Sequence, residues 1–274
     1  MKKAVWVLVA LVAGLAVLQV LKMVRTGSGP AESAATSVPA APAVPPALGA
    51  PAPPRHPIEE VRAPAPVPEP LPPLAASDGP IRSALAALIG RPELLKLVHP
   101  ERFVRNVVVT IDNLPRSHLS AIWSPIERAP GKLGTVPNGT GTVLASENVR
   151  RYAGYLRLLE ALDTAQLVDF YVRFYPLFQQ AYRELGYPNG HFNDRVVEAI
   201  DNLLATPDLA GRTIELESKV VYAPVEPQRA WAFADPDLER RSAGQKILMR
   251  IGPEAAGLVK SRLGEIRAAL APRG

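Results

Sequence analysis

The feature that most constrains this chain is an uncharged apolar run close to its first residue. The run extends from Ala4 to Leu21, with lysines directly before it and with Lys22 and Arg25 after it. In a helix each residue adds ~1.5 Å, so the run measures about 27 Å and can cross the hydrocarbon core of a bilayer. We therefore predict a transmembrane anchor at residues 1–25, in which residues 4–21 contact the lipid.

A cleaved secretory signal is the alternative interpretation of this run. Such signals have an apolar stretch of roughly 7–15 residues followed by small residues at the cleavage site. Here the apolar run is longer, and charged and bulky residues follow it, which favours a retained single span. Positive charges flank both ends, so they do not fix the orientation by themselves. A short N-terminal tail stays in the cytoplasm most easily, and we expect the rest of the chain on the other side of the membrane.

A proline-rich segment follows the predicted anchor. Residues 26–73 contain 15 of the 30 prolines of the chain, set among alanine, valine and serine. Proline fixes φ and lacks an amide donor, so this composition disfavours helices and sheets and favours extended polyproline II. We predict a disordered Pro/Ala-rich linker, which acts as a stalk between the membrane and a globular domain. A set of proline ligands for another protein is the alternative.

Residues 74–274 have the length of one globular domain. Their net charge is only +3, and no basic run alternates with aromatic residues, so the composition does not favour nucleic acid as a partner. The chain has no cysteine. Disulfides, cysteine nucleophiles, zinc ribbons and iron–sulfur sites are therefore excluded.

Helix signals dominate this domain, so we predict a mainly α fold with a minor β component (α+β). The predicted helices cover residues 78–90, 92–98, 100–114, 146–162, 163–185, 193–206, 242–251 and 253–271. Asn138-Gly139 predicts a hairpin turn between short strands in residues 132–144, and residues 213–222 alternate as a strand does. Pro176 is expected to kink the helix around it or to mark a join between two helices.

Two of the predicted helices share a pattern at a constant offset of 89 residues. Phe103 to Leu114 and Phe192 to Leu203 agree at seven of twelve positions. The shared apolar positions fall on one stripe of a helix, which predicts that they are buried. The shared Asp112-Asn113 and Asp201-Asn202 are candidate ligand residues between the two helices, or else ordinary turn and capping residues.

Aromatic residues are concentrated between Tyr152 and Phe192, which contain ten of the 16 in the chain. Five of them recur at helical spacing on one face, an arrangement typical of a core stripe or of a groove for a sugar or peptide. A glycine-containing loop, residues 186–191, follows this helix, so we expect a cleft there. The candidate surface consists of Tyr171, Tyr175, Tyr182, Tyr187, His191 and Asp194, together with the two Asp-Asn pairs.

The sequence offers no recognisable catalytic constellation. It contains no HExxH motif, no Gly-x-Ser-x-Gly elbow and no phosphate-binding loop. His191 and Asp194 supply two metal-ligand types, but this spacing more often reflects helix capping. We therefore predict no catalytic residue, no cofactor and no metal site.

Three long phrases of the domain resemble a known bacterial family. They are FVRNVVVTIDNLPR, YPLFQQAYRELGYPNGHFNDRVVEAIDNLLATP and FADPDLERRSAGQKILMRIGPEAAGLVKSRLGEIRAAL. Together with the apolar run and the stalk, they resemble domain-of-unknown-function family 3014. The resemblance implies an envelope protein of Gram-negative bacteria with an inner-membrane anchor and a periplasmic domain. It implies no activity.

We therefore expect a single-pass inner-membrane protein that presents its periplasmic domain as a binding or scaffold module. Its expected partner is an unidentified envelope protein or glycan. The alternative is an enzyme that acts on an envelope glycan through the aromatic stripe and the carboxylates of Glu184 and Asp194.

Overall fold

A computed structural model describes residues 52–61, 70–119, 121–139, 141–221 and 228–271. The predicted span at residues 4–21 lies outside these ranges, and so does much of the predicted linker. Within the described ranges, no helix is long and apolar enough to cross a membrane.

Helices make up most of the described chain, and a small antiparallel sheet accompanies them, which confirms the α+β class. The helices are α1 (Ile58–Val61), α2 (Asp78–Ile89), α3 (Pro92–Leu95), α4 (Phe103–Asn113), α5 (Val149–Ala161), α6 (Thr164–Glu184), α7 (Phe192–Leu204), α8 (Pro236–Glu239), α9 (Ala243–Arg250) and α10 (Pro253–Leu270). Short 3-10 turns cover Leu74–Ala76, Ala121–Trp123 and Ser146–Asn148.

Local sequence signals explain several helix ends. Gly90 follows α2 with a φ of 60°, a left-handed conformation that glycine adopts without a steric penalty. The side chain of Asp163 caps α6 by accepting a hydrogen bond from the amide of Gln166. Ser242 and Gln245 form a reciprocal capping box at the start of α9.

Helices α3 and α4 are shorter than predicted, since α3 ends at Leu95 and not at Val98. Helix α4 begins at Phe103 and not at Pro100, because Arg102 has a φ of 52° and its amide donates to Oδ2 of Asp78 at 2.8 Å. Helix α6 continues through Pro176 without a join. Phe174, Leu177 and Phe178 flank this proline in the core, and their burial stabilises the helix where one amide donor is missing.

The described strands form one antiparallel sheet in the order β1 (Thr135–Asn138), β2 (Gly141–Leu144), β3 (Glu215–Val221) and β4 (Gln228–Phe233). The predicted hairpin is confirmed, since Asn138 pairs with Gly141 and Gly139 has a φ of 60°. Strand β4 was not predicted, because its short sequence QRAWAF follows two nearby prolines and shows no clear alternation.

The main core lies between α2, α4, α5, α6, α7, α9 and α10. A smaller apolar cluster joins the sheet to the helices and contains Leu209, Leu216, Phe233, Leu238 and Met249. Arg250 connects the two regions. Its buried guanidinium lies 4.7 Å from the ring centre of Phe233 and donates to the carbonyl oxygen of Trp231, and burial lowers its pKa.

Helices α4 and α7 carry the shared sequence pattern, and the predicted burial of its apolar positions is confirmed. The phenylalanine, the two valines, the isoleucine and the leucine are at most 4% exposed in both copies. The two equivalent leucines, Leu114 and Leu203, meet at Gly244 of α9. A Cβ added at Gly244 would lie 2.6 Å from Cδ2 of Leu203 and 3.2 Å from the carbonyl oxygen of Leu114. Only glycine lets α9 approach the ends of both helices.

We predict that Gly244→Ala destabilises the fold by about 1–3 kcal/mol, because the added methyl group overpacks this contact. Gly257→Ala in α10 is the matched control. Gly257 is exposed and has no neighbour within 4 Å of an added Cβ, so the change should stabilise by about 0.5–1 kcal/mol through helix propensity. Urea denaturation measures both free energies of unfolding. Equal effects of the two substitutions would contradict the close approach.

Candidate functional site

Residues 52–61 lie on the surface where the sequence analysis places His191 and Asp194. The two carboxylate oxygens of Asp194 accept hydrogen bonds from two successive backbone amides. Oδ2 accepts from Arg55 at 3.0 Å and Oδ1 from His56 at 2.8 Å. Nε2 of His191 lies 2.9 Å from the carbonyl oxygen of Ala52, which fits a tautomer that donates from Nε2. Two residues of the candidate surface, His191 and Asp194, therefore bind main-chain groups of the segment 52–61.

This contact differs from the prediction of a disordered, helix-free linker over residues 26–73. Pro57 precedes the short helix α1, and the side chains of Ile58 and Val61 pack against the main core. The composition of the segment disfavours regular structure on its own. Packing against the domain and the hydrogen bonds to Asp194 supply what the isolated segment lacks.

Asn193 joins this surface to the core. Its side chain is 0% exposed, and its Nδ2 donates to the carbonyl oxygens of His56 at 2.9 Å and of Leu270 at 3.3 Å. Its Oδ1 accepts from the hydroxyl of Tyr171 at 3.3 Å. In the sequence Asn193 is only the first residue of a predicted helix, and its position directly beside Asp194 is the one signal that could have included it.

Gln179 of α6 fixes the loop that precedes α7. Its Nε2 donates to the carbonyl oxygen of Gly190 at 2.7 Å. Its Oε1 accepts from the amide of Phe192 at 2.8 Å and from the hydroxyl of Tyr175 at 2.9 Å. Gln179 is buried, so these bonds are protected from water. Helical spacing could have separated it from its exposed neighbour Gln180, because Gln179 lies four residues after Tyr175, beside the aromatic stripe, and Gln180 falls on the opposite face.

Asp112 is the buried charged centre of the site. Its side chain is 6% exposed. Oδ1 accepts from Nε of Arg195 at 3.0 Å, and Oδ2 accepts from Arg116 at 2.8 Å and from the hydroxyl of Tyr187 at 3.2 Å. The carboxylate thus connects α4, α7 and the loop between α6 and α7. A buried carboxylate with this many donors is well compensated for the loss of water.

Arg195 completes this centre. Burial lowers its pKa, but the carboxylates of Glu198 at 2.7 Å and of Asp112 outweigh burial, and the net pKa is raised. The Arg195 guanidinium also donates to the carbonyl oxygen of Asp112 at 2.5 Å. Nε of Arg116 donates to the same carbonyl oxygen at 3.1 Å, so two arginines satisfy this acceptor near the end of α4.

Tyr187 is held from two sides. Its ring stacks on Tyr182 at a centroid distance of 4.5 Å, and its hydroxyl contacts Asp112 and Arg116. Gly190 lies against the same pair, since an added Cβ would come within 2.9 Å of the Tyr182 ring. The loop that carries His191 is therefore fixed by packing and by hydrogen bonds.

The second Asp-Asn pair has a different environment from the first. Asp201 is exposed and pairs with Arg267 of α10 at 2.6 Å. Oδ1 of Asn202 accepts from the hydroxyl of Ser242, and its carbonyl oxygen accepts from Gln245, so Asn202 receives the capping box of α9. Asn113 donates to the carbonyl oxygen of Val109 in its own helix. These three residues bind groups of the chain itself, as turn and capping residues do.

The aromatic stripe is part of the core. Tyr171 is 1% exposed and Tyr182 is 6% exposed, so of the two alternatives for the stripe the core is confirmed, and these two rings do not line an open groove. Their rings pack on Phe192, whose burial between α6 and α7 requires apolar neighbours. Tyr175 is half-buried and packs against the core.

The predicted surface does not assemble as a glycosidase site would. The pKa of Glu184 is lowered by hydrogen bonds from Gln180 and Arg105, whereas a general acid needs a raised one. His191 and Asp194 both form hydrogen bonds with residues 52–61, which we call the docked segment. Among the described residues, no group of three or more histidines and carboxylates is placed to hold a metal ion.

We predict that Asp112→Asn destabilises the domain by about 3 kcal/mol, because it leaves the buried Arg195 with less compensating charge. Asp201→Asn is the matched control at the equivalent position of α7. It breaks an exposed pair and should change stability by less than about 1 kcal/mol. Urea denaturation of both variants measures the difference, and equal losses would show that Asp112 is not the central contact.

The tyrosines predict how stability changes at alkaline pH. Burial raises the pKa of Tyr175 and of Tyr182 to about 12 from a usual 10.0. The pKa of each tyrosine is higher in the folded state than in the unfolded state. Its contribution to the free energy of unfolding is therefore fully present below pH 10 and is lost as the pH rises through about 12. Tyrosinate absorbance should rise together with the loss of helical circular dichroism. Ionisation of every tyrosine near pH 10 with the helices intact would contradict this.

Comparison with known proteins identifies a family and nothing closer. No curated protein and no solved structure matches the chain. Residues 103–267 match the family described as "Protein of unknown function (DUF3014)". The match includes Asp112, Gln179 and the residues from His191 to Asp194, while residues 52–61 lie outside it. The chain is a member of the DUF3014 family.

Proposed function

We propose that this protein is a single-pass inner-membrane protein of the bacterial envelope whose periplasmic domain is a binding module. Residues 4–21 are its span, and the domain binds an extended chain segment at His191, Asn193 and Asp194. The module holds its ligand without chemical change.

The observation that carries this proposal is the pair of hydrogen bonds that Asp194 accepts from two successive backbone amides. A carboxylate that accepts from two main-chain donors recognises the course of a chain and not one side chain. Asp194 lies in the first turn of α7, where the helix dipole favours a negative charge. Asn193 is fixed in the core, so the contact surface is rigid before a chain segment arrives.

The location half of the proposal is supported by the length of the apolar run and by the sequence that follows it. The run has the length of a bilayer core, and proline-rich sequence separates it from the domain. Since the chain has no cysteine, an introduced cysteine is the only thiol and reports location cleanly.

The test uses Ser261→Cys, an exposed position of α10, and Lys3→Cys before the predicted span. In spheroplasts, a membrane-impermeant maleimide should label Ser261→Cys at once and Lys3→Cys only after permeabilisation. Both variants should remain in the membrane fraction after alkaline extraction. Protection of Ser261→Cys, or release of the protein by osmotic shock, would contradict the proposed location.

The binding half is tested by crosslinking in cells followed by purification of the full chain. Wild-type protein should carry an adduct that Asp194→Ala loses. Asp208→Ala, in an exposed loop, is the matched control and should keep the adduct. An adduct that is independent of Asp194 would place the binding surface elsewhere.

A further inference from the structure

We propose that the surface at His191, Asn193 and Asp194 is a groove for proline-rich peptides of a partner protein. Residues 52–61 are its built-in competitor. This inference rests on the proposed binding function and names the class of ligand. The ligand is an extended Pro-Pro-x-x-Pro peptide followed by apolar residues at the positions of Ile58 and Val61.

The placement of amide donors defines this class. In Pro53-Pro54-Arg55-His56-Pro57, only Arg55 and His56 have a backbone N–H, because proline has none. Both donors bind Asp194, one to each carboxylate oxygen. The prolines leave no unpaired amide next to the groove and hold the peptide extended before it binds, which reduces the entropy lost on binding. The pattern Pro-Pro-x-x-Pro occurs once in the chain.

Burial separates the segment from the groove that holds it. No residue from 52 to 61 is buried, and Arg55, Glu59 and Glu60 are exposed. Beneath the segment, Asn193 is 0% exposed and Gln179 is 7% exposed. Gln179 makes its hydrogen bonds within the domain, whereas Asn193 bonds to Tyr171 and Leu270 of the domain and also donates to the carbonyl oxygen of His56 in the segment. The groove is therefore built into the core, whereas the segment lies on its surface. That asymmetry fits a ligand that exchanges, because the segment contributes no fully buried side chain to the fold.

The contacts are also tolerant of side-chain identity. The oxygen atoms of Ala52 and His56 and the amides of Arg55 and His56 are all main-chain groups. A peptide from another protein with the same prolines presents the same groups. The internal segment competes at the high effective concentration that a short tether gives, so a partner must bind tightly or be concentrated at the same membrane.

The test uses the full chain in detergent and a fluorescent synthetic peptide with the sequence of residues 52–61. The double variant Arg55→Pro and His56→Pro removes both donors of the internal segment and leaves the groove unchanged. Wild-type protein should bind the peptide weakly, and the double variant should bind it about tenfold more tightly or better, because apparent affinity scales with the open fraction. Addition of Asp194→Ala should abolish this gain. A peptide with proline at both donor positions should not bind.

A second variant covers the case in which the double variant does not fold. Residues 62–69 are replaced by a protease recognition sequence, and the folded chain is then cut. Cutting should raise peptide binding to the level expected for the double variant, and excess peptide should release residues 1–61. A domain that unfolds on cutting, or a piece that excess peptide cannot release, would show that the segment is a fixed part of the fold and would overturn the proposal.

Two further outcomes overturn it. Peptide binding that survives Asp194→Ala would place the site elsewhere. A concentration-dependent wild-type dimer that Asp194→Ala abolishes would make a second copy of this chain the occupant in place of a partner.

If thiol labelling supports the membrane location and no variant binds peptide, this inference fails and the location stands. If the peptide binds and labelling fails, the location falls alone.

Discussion

The buried carboxylate of Asp112 is the contact on which the arrangement of this domain depends. It belongs to α4 and accepts hydrogen bonds from Arg116 just after that helix, from Arg195 of α7 and from Tyr187 of the loop after α6. A carboxylate removed from water is tolerated only when several donors replace the water, and here three side chains do so. Because these donors come from separate parts of the chain, their relative positions are set together.

The contacts of Asp112 also fix the residues that form the groove. Arg195 binds Asp112 and lies one residue after Asp194, so the start of α7 is fixed on two adjacent sides. Tyr187 and Gln179 hold the preceding loop, which brings His191 to the same surface. The interaction with residues 52–61 is weaker by contrast, since it consists of a few main-chain hydrogen bonds and two partly buried side chains.

The sequence predicted the long helices, the hairpin and the burial of the shared stripe, because these follow from periodicity and from turn chemistry. It located His191 and Asp194 correctly beside a loop. It could not show that the stripe of tyrosines points inward, since a core face and a groove face have the same spacing. Nor could it separate Asp112 from Asp201, because the shared Ile-Asp-Asn-Leu gives no sign that one meets Arg195 in the core and the other meets Arg267 in solvent.

If residues 4–21 span the membrane as proposed, the docked segment also changes how far the domain can lie from the bilayer. With the segment in place, the chain joins the domain at Ala52, about 20 residues earlier than Leu74. A chain extends by at most ~3.3–3.6 Å per residue, so release of the segment lengthens the connection between the proposed span and the domain by up to about 75 Å. Occupancy of the groove by the segment would thus set the distance that the domain can reach from the proposed span. A protein that displaces the segment would be bound by a domain with a longer reach.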